Sequence, residues 1–245
     1  MSFQSGQDCR VLIAENDLSA YFKSADVDAS VDALENTTFT KNAKTFLPGL
    51  ASGKVNLTGY WDNSTDSIIA AYIQSSAGQV VSVAPADLAA GSVAKLLLAR
   101  QVEYKESAPV GGLIAMAVGM IADGPVDSGF SLHQLQAESI TGNGTTVDQV
   151  AVSTTNGWVS HLHVTSAASL VGDSLIIKLQ DASASNFSDG ADLAGGTFTT
   201  VLGNGGGKSF RLEGTGTVRR YVRCVFTIAG AGTHSFIFSV TFARR

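Results

Sequence analysis

The sequence predicts a mainly β protein with one α-helix, organised as two domains that meet near Gly142. Three observations predict this. Apolar residues recur at every second position in several short runs, Gly-, Ser- and Thr-rich segments separate those runs, and a single segment carries apolar residues at helical spacing. With 245 residues, 44% of them hydrophobic, the chain can remove about 70% of its unfolded surface from water, and stability needs neither a metal nor a disulfide. Only 15% of the residues are charged, against roughly 25% in an average domain. So little charge, with so much Ser, Thr, Ala and Gly, implies a surface largely covered by other protein.

In the first half, Arg10–Ala14 and Phe22–Ser30 read as strands, and Lys54–Trp61 places Val55, Leu57 and Tyr60 in imperfect alternation. Between them, Glu35–Leu50 (ENTTFTKNAKTFLPGL) has no period of 2 or 3.6 and contains Pro48-Gly49. It reads as a long structureless loop, a feature that is usually functional. Ile68, Ala71 and Tyr72 share a helical face, with Ser64 or Thr65 as the cap, Gly78 as the stop and about three turns between. Gln79–Ala84, Val93–Tyr104 and Leu113–Asp123 return to strand, although Leu96–Leu98 also suits a helix. The longest apolar stretch, Gly111–Ala122, has about a dozen residues where a bilayer-spanning helix needs about 20.

Glu138–Asp148 (ESITGNGTTVD) lacks a sustained apolar period and reads as a linker. Met1–Leu135 holds 14 acidic and 8 basic residues, whereas Gln136–Arg245 holds 7 and 8, so the acidity belongs to the first half. Beyond the linker, Trp158–Thr165 alternates Trp158, Leu162 and Val164 with Val159, His161 and His163, Leu175–Gln180 and Thr197–Leu202 are further strands, and Arg219–Ile228 turns Val222, Cys224, Phe226 and Ile228 inward. Phe236, Phe238, Val240 and Phe242 repeat that pattern, with Ala229–Gly232 (AGAG) as the intervening hairpin turn. Short strands at this spacing imply a β-sandwich.

Catalytic signatures are weak. Gly203–Ser209 (GNGGGKS) ends like a phosphate-cradling loop, but Leu202 stands where the first glycine is needed and an extended segment follows in place of a helix, so it reads as a Gly-rich hairpin loop. His161 and His163 project to one strand face and suit a metal only if further ligands join them, so an exposed strand face is the better reading. Asp26 and Asp28, with Asp32 beyond, form an acidic stripe without an accompanying base or electrophile. No G-x-S-x-G is present, and Cys9 has no adjacent helix N-terminus to activate it. Cys9 and Cys224 are too few for a disulfide framework. A net charge of −5 disfavours a strongly basic nucleic-acid grip. Arg219, Arg220, Arg223, Arg244 and Arg245 read as strand-end groups that contact acidic neighbours in an assembly.

One ordered pattern points further. Asp26–Asp62 (DVDASVDALENTTFTKNAKTFLPGLASGKVNLTGYWD), the helix at Ile68, and Ala99–His133 (ARQVEYKESAPVGGLIAMAVGMIADGPVDSGFSLH) together resemble the tail tube (major tail) proteins of long-tailed bacteriophages. The resemblance implies that residues 1–140 form a tail tube domain, a β-sandwich or barrel with one flanking helix, and that residues 141–245 form a peripheral, decoration-like β-sandwich. It implies six copies closing into a ring and rings stacking into a tube. Glu35–Leu50 would reach the next ring through the apolar anchors Phe39, Phe46, Leu47, Pro48 and Leu50, with Lys41 and Lys44 meeting an acidic neighbour. Candidates for a negatively lined lumen are Asp26, Asp28, Asp32 and Glu103, past which DNA slides without specific binding. The implied partners are further copies of the chain and the tape measure, tail terminator and tip proteins. The implied location is the virion tail, assembled in the host cytoplasm, and no enzymatic activity, cofactor, metal or membrane is implied. The competing readings are a carbohydrate-binding or host-adhesion module that stacks sugar on Trp158, Tyr221 or the His pair, and a metal-dependent hydrolase at His161 and His163.

Overall fold

The computed structural model describes residues 5–150, 157–168, 171–231 and 234–245. The strands are β1 (Arg10–Ile13), β2 (Asn16–Asp17), β3 (Phe22–Glu35), β4 (Phe46–Tyr60), β5 (Gln79–Ala84), β6 (Val93–Ser107), β7 (Ala115–Ala122), β8 (Asp127–Glu138), β9 (Gly142–Asn143) and β10 (Val147–Asp148). There follow β11 (Trp158–Ala167), β12 (Ser174–Ala182), β13 (Ala191–Thr197), β14 (Val201–Leu202), β15 (Lys208–Gly214), β16 (Tyr221–Ala229) and β17 (Phe236–Arg244). One α-helix, α1 (Asn63–Ile73), lies among the described residues. The protein is mainly β, with antiparallel pairing throughout and sandwich packing.

By their contacts the residues group into two compact units, one of 1–20, 80–96 and 127–245 and the other of 21–79 and 97–126. This grouping does not follow a division near Gly142. The physical reason is backbone pairing, because β17 pairs with β8 from Phe236 opposite Glu138 to Phe242 opposite Phe130, with two register shifts on the way. The expected linker also belongs to a sheet, since β9 and β10 both pair with β16.

In the larger unit, one sheet has the strand order β15-β11-β17-β8-β6-β5-β1-β2, and a second has β10-β16-β12-β13, with β9 on β16 and β14 on β12. Their facing sides build the main core. Trp158, Leu162 and Val164 of β11 and Phe236, Phe238 and Phe242 of β17 pack with Leu175, Ile177 and Leu179 of β12 and Val222, Cys224 and Phe226 of β16. The first sheet also curls back on itself, so that Leu12 of β1, Ala84 of β5 and Leu96 of β6 cluster with Val159 of β11 and Ala243 of β17. Both faces of β11 are therefore covered. β16 and β17 lie in different sheets, so the expected hairpin between them is a crossover; Gly232 of the expected turn lies outside the described residues. Thr197–Leu202 is two strands, because buried Phe198 breaks the run and donates its N–H to the Ile177 carbonyl at 2.9 Å. The Gly-rich segment 203–207 likewise joins strands of different sheets.

The smaller unit is the antiparallel sheet β3-β4-β7 completed by the second part of β6, with α1. Val55, Leu57, Met116, Val118, Met120 and Ala99 point to its buried side. The cap of α1 is Asp62, two or three residues earlier than expected, and its Oδ1 accepts from the Ser64 and Thr65 N–H groups at 3.0 and 3.4 Å. Ser64 and Thr65 thus lie inside the helix, which ends at Gln74 rather than at Gly78. Asp66 in the first turn accepts from Tyr104 Oη at 2.5 Å, tying the helix to β6.

Candidate functional site

Of the segment expected to be structureless, Glu35 and Phe46–Leu50 are strand and belong to a β-hairpin, while the ten residues between them form its loop. β3 runs on to Glu35 and β4 begins at Phe46, opposite it, leaving 36–45 as the loop. β7 pairs only with Lys54–Tyr60 of β4. Beyond Lys54 the hairpin is therefore a two-stranded ribbon, interrupted by a bulge between Val31 and Ala33. At that bulge Asp32 lies so close to Gly49 that a Cβ there would stand 2.9 Å from the Asp32 Cβ.

This ribbon carries exposed apolar side chains on both strands and at its tip. Val31 and Leu34 of β3, Phe39 of the loop, and Phe46, Leu47 and Leu50 of β4 are all exposed, Leu50 at 80%. Pro48 stands opposite Ala33. Lys44 Nζ pairs with Glu35 Oε2 at 2.9 Å where the loop leaves the strands, and Lys41 N–H donates to the Thr38 carbonyl in the loop. A two-stranded ribbon is marginal in water without further packing, and a contiguous apolar surface marks a site of association.

Further along the same sheet lies a polar face. Asp26 stands opposite Asn56, Asn56 opposite Gly119, and Gly119 opposite Glu103, which puts Asp26 and Glu103 in one cross-strand row. A Cβ on Gly119 would lie 3.1 Å from the Glu103 Cβ, so glycine there leaves room for the carboxylate. The next row is Asp28, Lys54, Ile121 and Arg100, and the preceding one ends in Lys105 opposite Ala117. Acidic Asp26, Asp28 and Glu103 are thus interleaved with Lys54, Arg100 and Lys105. The face carries both signs rather than a continuous acidic stripe.

The histidines are not on an exposed face. His161 and His163 are both 0% exposed, and Ser82 is buried between them. His163 Nδ1 donates to the Ala14 carbonyl at 2.6 Å, Ser82 Oγ donates to His163 Nε2 at 2.8 Å, and His161 Nδ1 donates to Ser82 Oγ at 3.1 Å. Arg211 Nη1 then donates to His161 Nε2 at 3.3 Å, completing a chain of neutral rings whose tautomers follow from their partners. Burial, then the neighbouring His163 and Arg211, hold His161 well below the ordinary imidazole range; burial lowers His163 to about 4. The Ser82–His163–carbonyl order has the geometry of an activated nucleophile, yet total burial bars a substrate atom from reaching Ser82. Both lone-pair nitrogens are already occupied by donors, so a metal finds no ligand there, and among the described residues no group of three or more His, Cys, Asp and Glu is arranged to hold one.

The arginine cluster is satisfied within the chain. Arg219 binds buried Asp181 through Nε and Nη2 and also meets Asp189, Arg220 forks onto Asp148 at 2.7 Å through two nitrogens, and Arg245 forks onto Asp127 at 2.9 Å through two. Arg223 bonds Gln180 and lies 4.1 Å over the Phe187 ring, and Arg244 reaches the Arg220 carbonyl. Their expected acidic partners are intramolecular. Trp158, 1% exposed, is packed on Phe242 with ring centroids 5.9 Å apart and offers no platform for sugar.

No protein-family model matches the chain, and no curated protein does. Among solved structures, it is similar to a chain in the virion of a native gene transfer agent particle (14% identity, TM-score 0.44), over 51% of its own length and 98% of that chain. It is similar to the SPP1 tail tube protein over 51% of its length and 78% of that chain (15% identity, TM-score 0.42). It is also similar to the SPP1 Dit protein, described as a paradigm of the hub adsorption apparatus in phages infecting Gram-positive bacteria, over 96% of its length and 98% of that chain (12% identity, TM-score 0.38).

Proposed function

We propose that the chain is a structural subunit of a phage-type tail that polymerises with itself, as stacked rings, into a tube through which DNA passes. The observation that carries this reading is the β3–β4 ribbon, whose distal part pairs with no third strand among the described residues and exposes Leu34, Phe39, Phe46, Leu47 and Leu50. Such a ribbon becomes stable when another copy covers it. Contact of the ribbon with a different patch on the next copy is heterologous, so it repeats along an axis without closing.

The polar face of the β3-β4-β7-β6 sheet is the candidate lumen wall. Duplex DNA carries one negative charge per about 1.7 Å of axis and is gripped where a protein displaces its counterions with clustered cations. Lys54 and Arg100 share a row with Asp28, and the row of Asp26 and Glu103 lies between them and Lys105, which supports sliding without a binding site. In this reading the chain is no enzyme, it resides in the virion tail after assembly in the host cytoplasm, and it meets the tape measure, terminator and tip proteins at the tube's length and ends. The outer decoration comes from residues 141–245 together with the segments 1–20, 80–96 and 127–140 that share their compact unit.

Deleting Thr37–Lys44 tests the ribbon. The shortened chain is expected to remain a folded monomer by circular dichroism and sedimentation while the full chain forms large polymers. Polymers of the deleted chain indistinguishable from those of the full chain would remove the ribbon from the account.

A further inference from the structure

A second site lies in the larger unit, where β8 passes β9. A cavity of about 180 Å³ is lined by His133, Gln134, Gln136 and Glu138 of β8 and by Asn143 and Thr145. Each residue of the β8 set is held in place. His133 stacks on Phe238 at 4.4 Å between ring centroids and meets the edge of Phe226 at 5.3 Å. Its Nε2 lies 3.2 Å from Glu138 Oε1, which also accepts from Gln136 Nε2 at 2.5 Å, and Gln136 accepts in turn from Gln134. Pairing of β8 with β17 slips between Phe238 and Val240, opposite Gln136 and His133. Such a bulge re-aims side chains and recurs beside functional sites. The His133 ring is 4% exposed and, wedged between Phe238 and Phe226, forms a fixed wall that positions Glu138.

We propose that this cavity binds one uncharged, polyhydroxylated ring, the size of a single pyranose unit. Liquid water takes about 30 Å³ per molecule, so the cavity holds the volume of a ring with a few substituents. Two side-chain amides, a third amide at Asn143, a carboxylate and a hydroxyl present donors and acceptors side by side. Adjacent sugar hydroxyls, each donor and acceptor at once, match that alternation. Glu138 is the one formally charged residue of the lining, which disfavours phosphates and carboxylates. The lining is too polar to favour an apolar ligand. This inference does not depend on polymerisation.

Ligand-observed saturation-transfer NMR on the full chain, with methyl glycosides of glucose, galactose and N-acetylglucosamine as probes, tests the proposal, and oligosaccharides ending in the same units separate a free sugar from a glycan terminus. Transfer to at least one probe with affinity in the millimolar range is expected, weakened at least tenfold in Gln136→Ala. Glu138→Gln keeps the volume while replacing an acceptor by a donor, and is expected to weaken it similarly without a change in fold. Absence of transfer from all probes at tens of millimolar, or transfer unchanged in both variants, would overturn the proposal.

Discussion

Acidification from pH 6.5 to pH 4 is expected to remove about 3 kcal/mol of stability through His163 alone. In the folded chain this ring titrates at about 4, against an ordinary 6.5, because burial opposes its charge. One pKa unit is about 1.4 kcal/mol. The folded pKa is the lower one, so the unfolded chain takes up the proton first as pH falls. The stabilisation is complete above 6.5 and is lost progressively down to 4. His161 acts in the same direction, since a proton on its Nε2 would point at the Arg211 guanidinium 3.3 Å away, with Arg245 adding further positive charge. Urea denaturation at steps between pH 7 and pH 4 measures the slope. His163→Gln retains an N–H for the Ala14 carbonyl but cannot titrate, so the variant is less stable at neutral pH and loses less on acidification. The same pH slope in variant and wild type, or an NMR titration of His163 near 6.5, would refute the reasoning.

Trp158→Ala empties the centre of the main core and is expected to cost about 3–5 kcal/mol, read as a fall in the urea midpoint at unchanged slope. Burial pushes the Cys224 thiol up to about 12, while Cys9 is only half-buried; a thiol reagent at neutral pH is expected to modify Cys9 in the native chain and Cys224 only after denaturation, checked by mass spectrometry. Asp181→Ala removes the carboxylate on which Arg219 rests, and a loss of about 1–3 kcal/mol is expected, measured by thermal melting.

What the sequence made legible follows from where alternation reflects one buried face. β16 has a core side and a wetter side, and its Val222, Cys224, Phe226 and Ile228 were readable as inward. β11 shows the same alternation, but the curled sheet lays β1 and β5 over its second face, so His161 and His163 are interior. Period 2 alone does not distinguish a polar residue in water from one satisfied by Ser82 and the Ala14 carbonyl. The distal β3–β4 ribbon failed for the opposite reason: it is exposed on both faces, so no alternation is imposed on it, and Pro48-Gly49 read as loop. Phe39, Phe46, Leu47 and Leu50 are exposed on this ribbon, and their role as anchors is what the tail-tube resemblance implies, not something alternation shows. Asp26 and Glu103 were named singly, and only the register through Asn56 and Gly119 places them in one row. The cavity at His133 has no signature in the sequence, because it depends on the slipped register of β8 against β17, which only pairing defines.

Electron microscopy of the purified chain at high concentration tests self-assembly most directly. Hollow tubes built of regularly stacked rings are expected, with the β3–β4 ribbon seated between successive rings. A field of single, dispersed particles at every concentration and salt condition tried would contradict it.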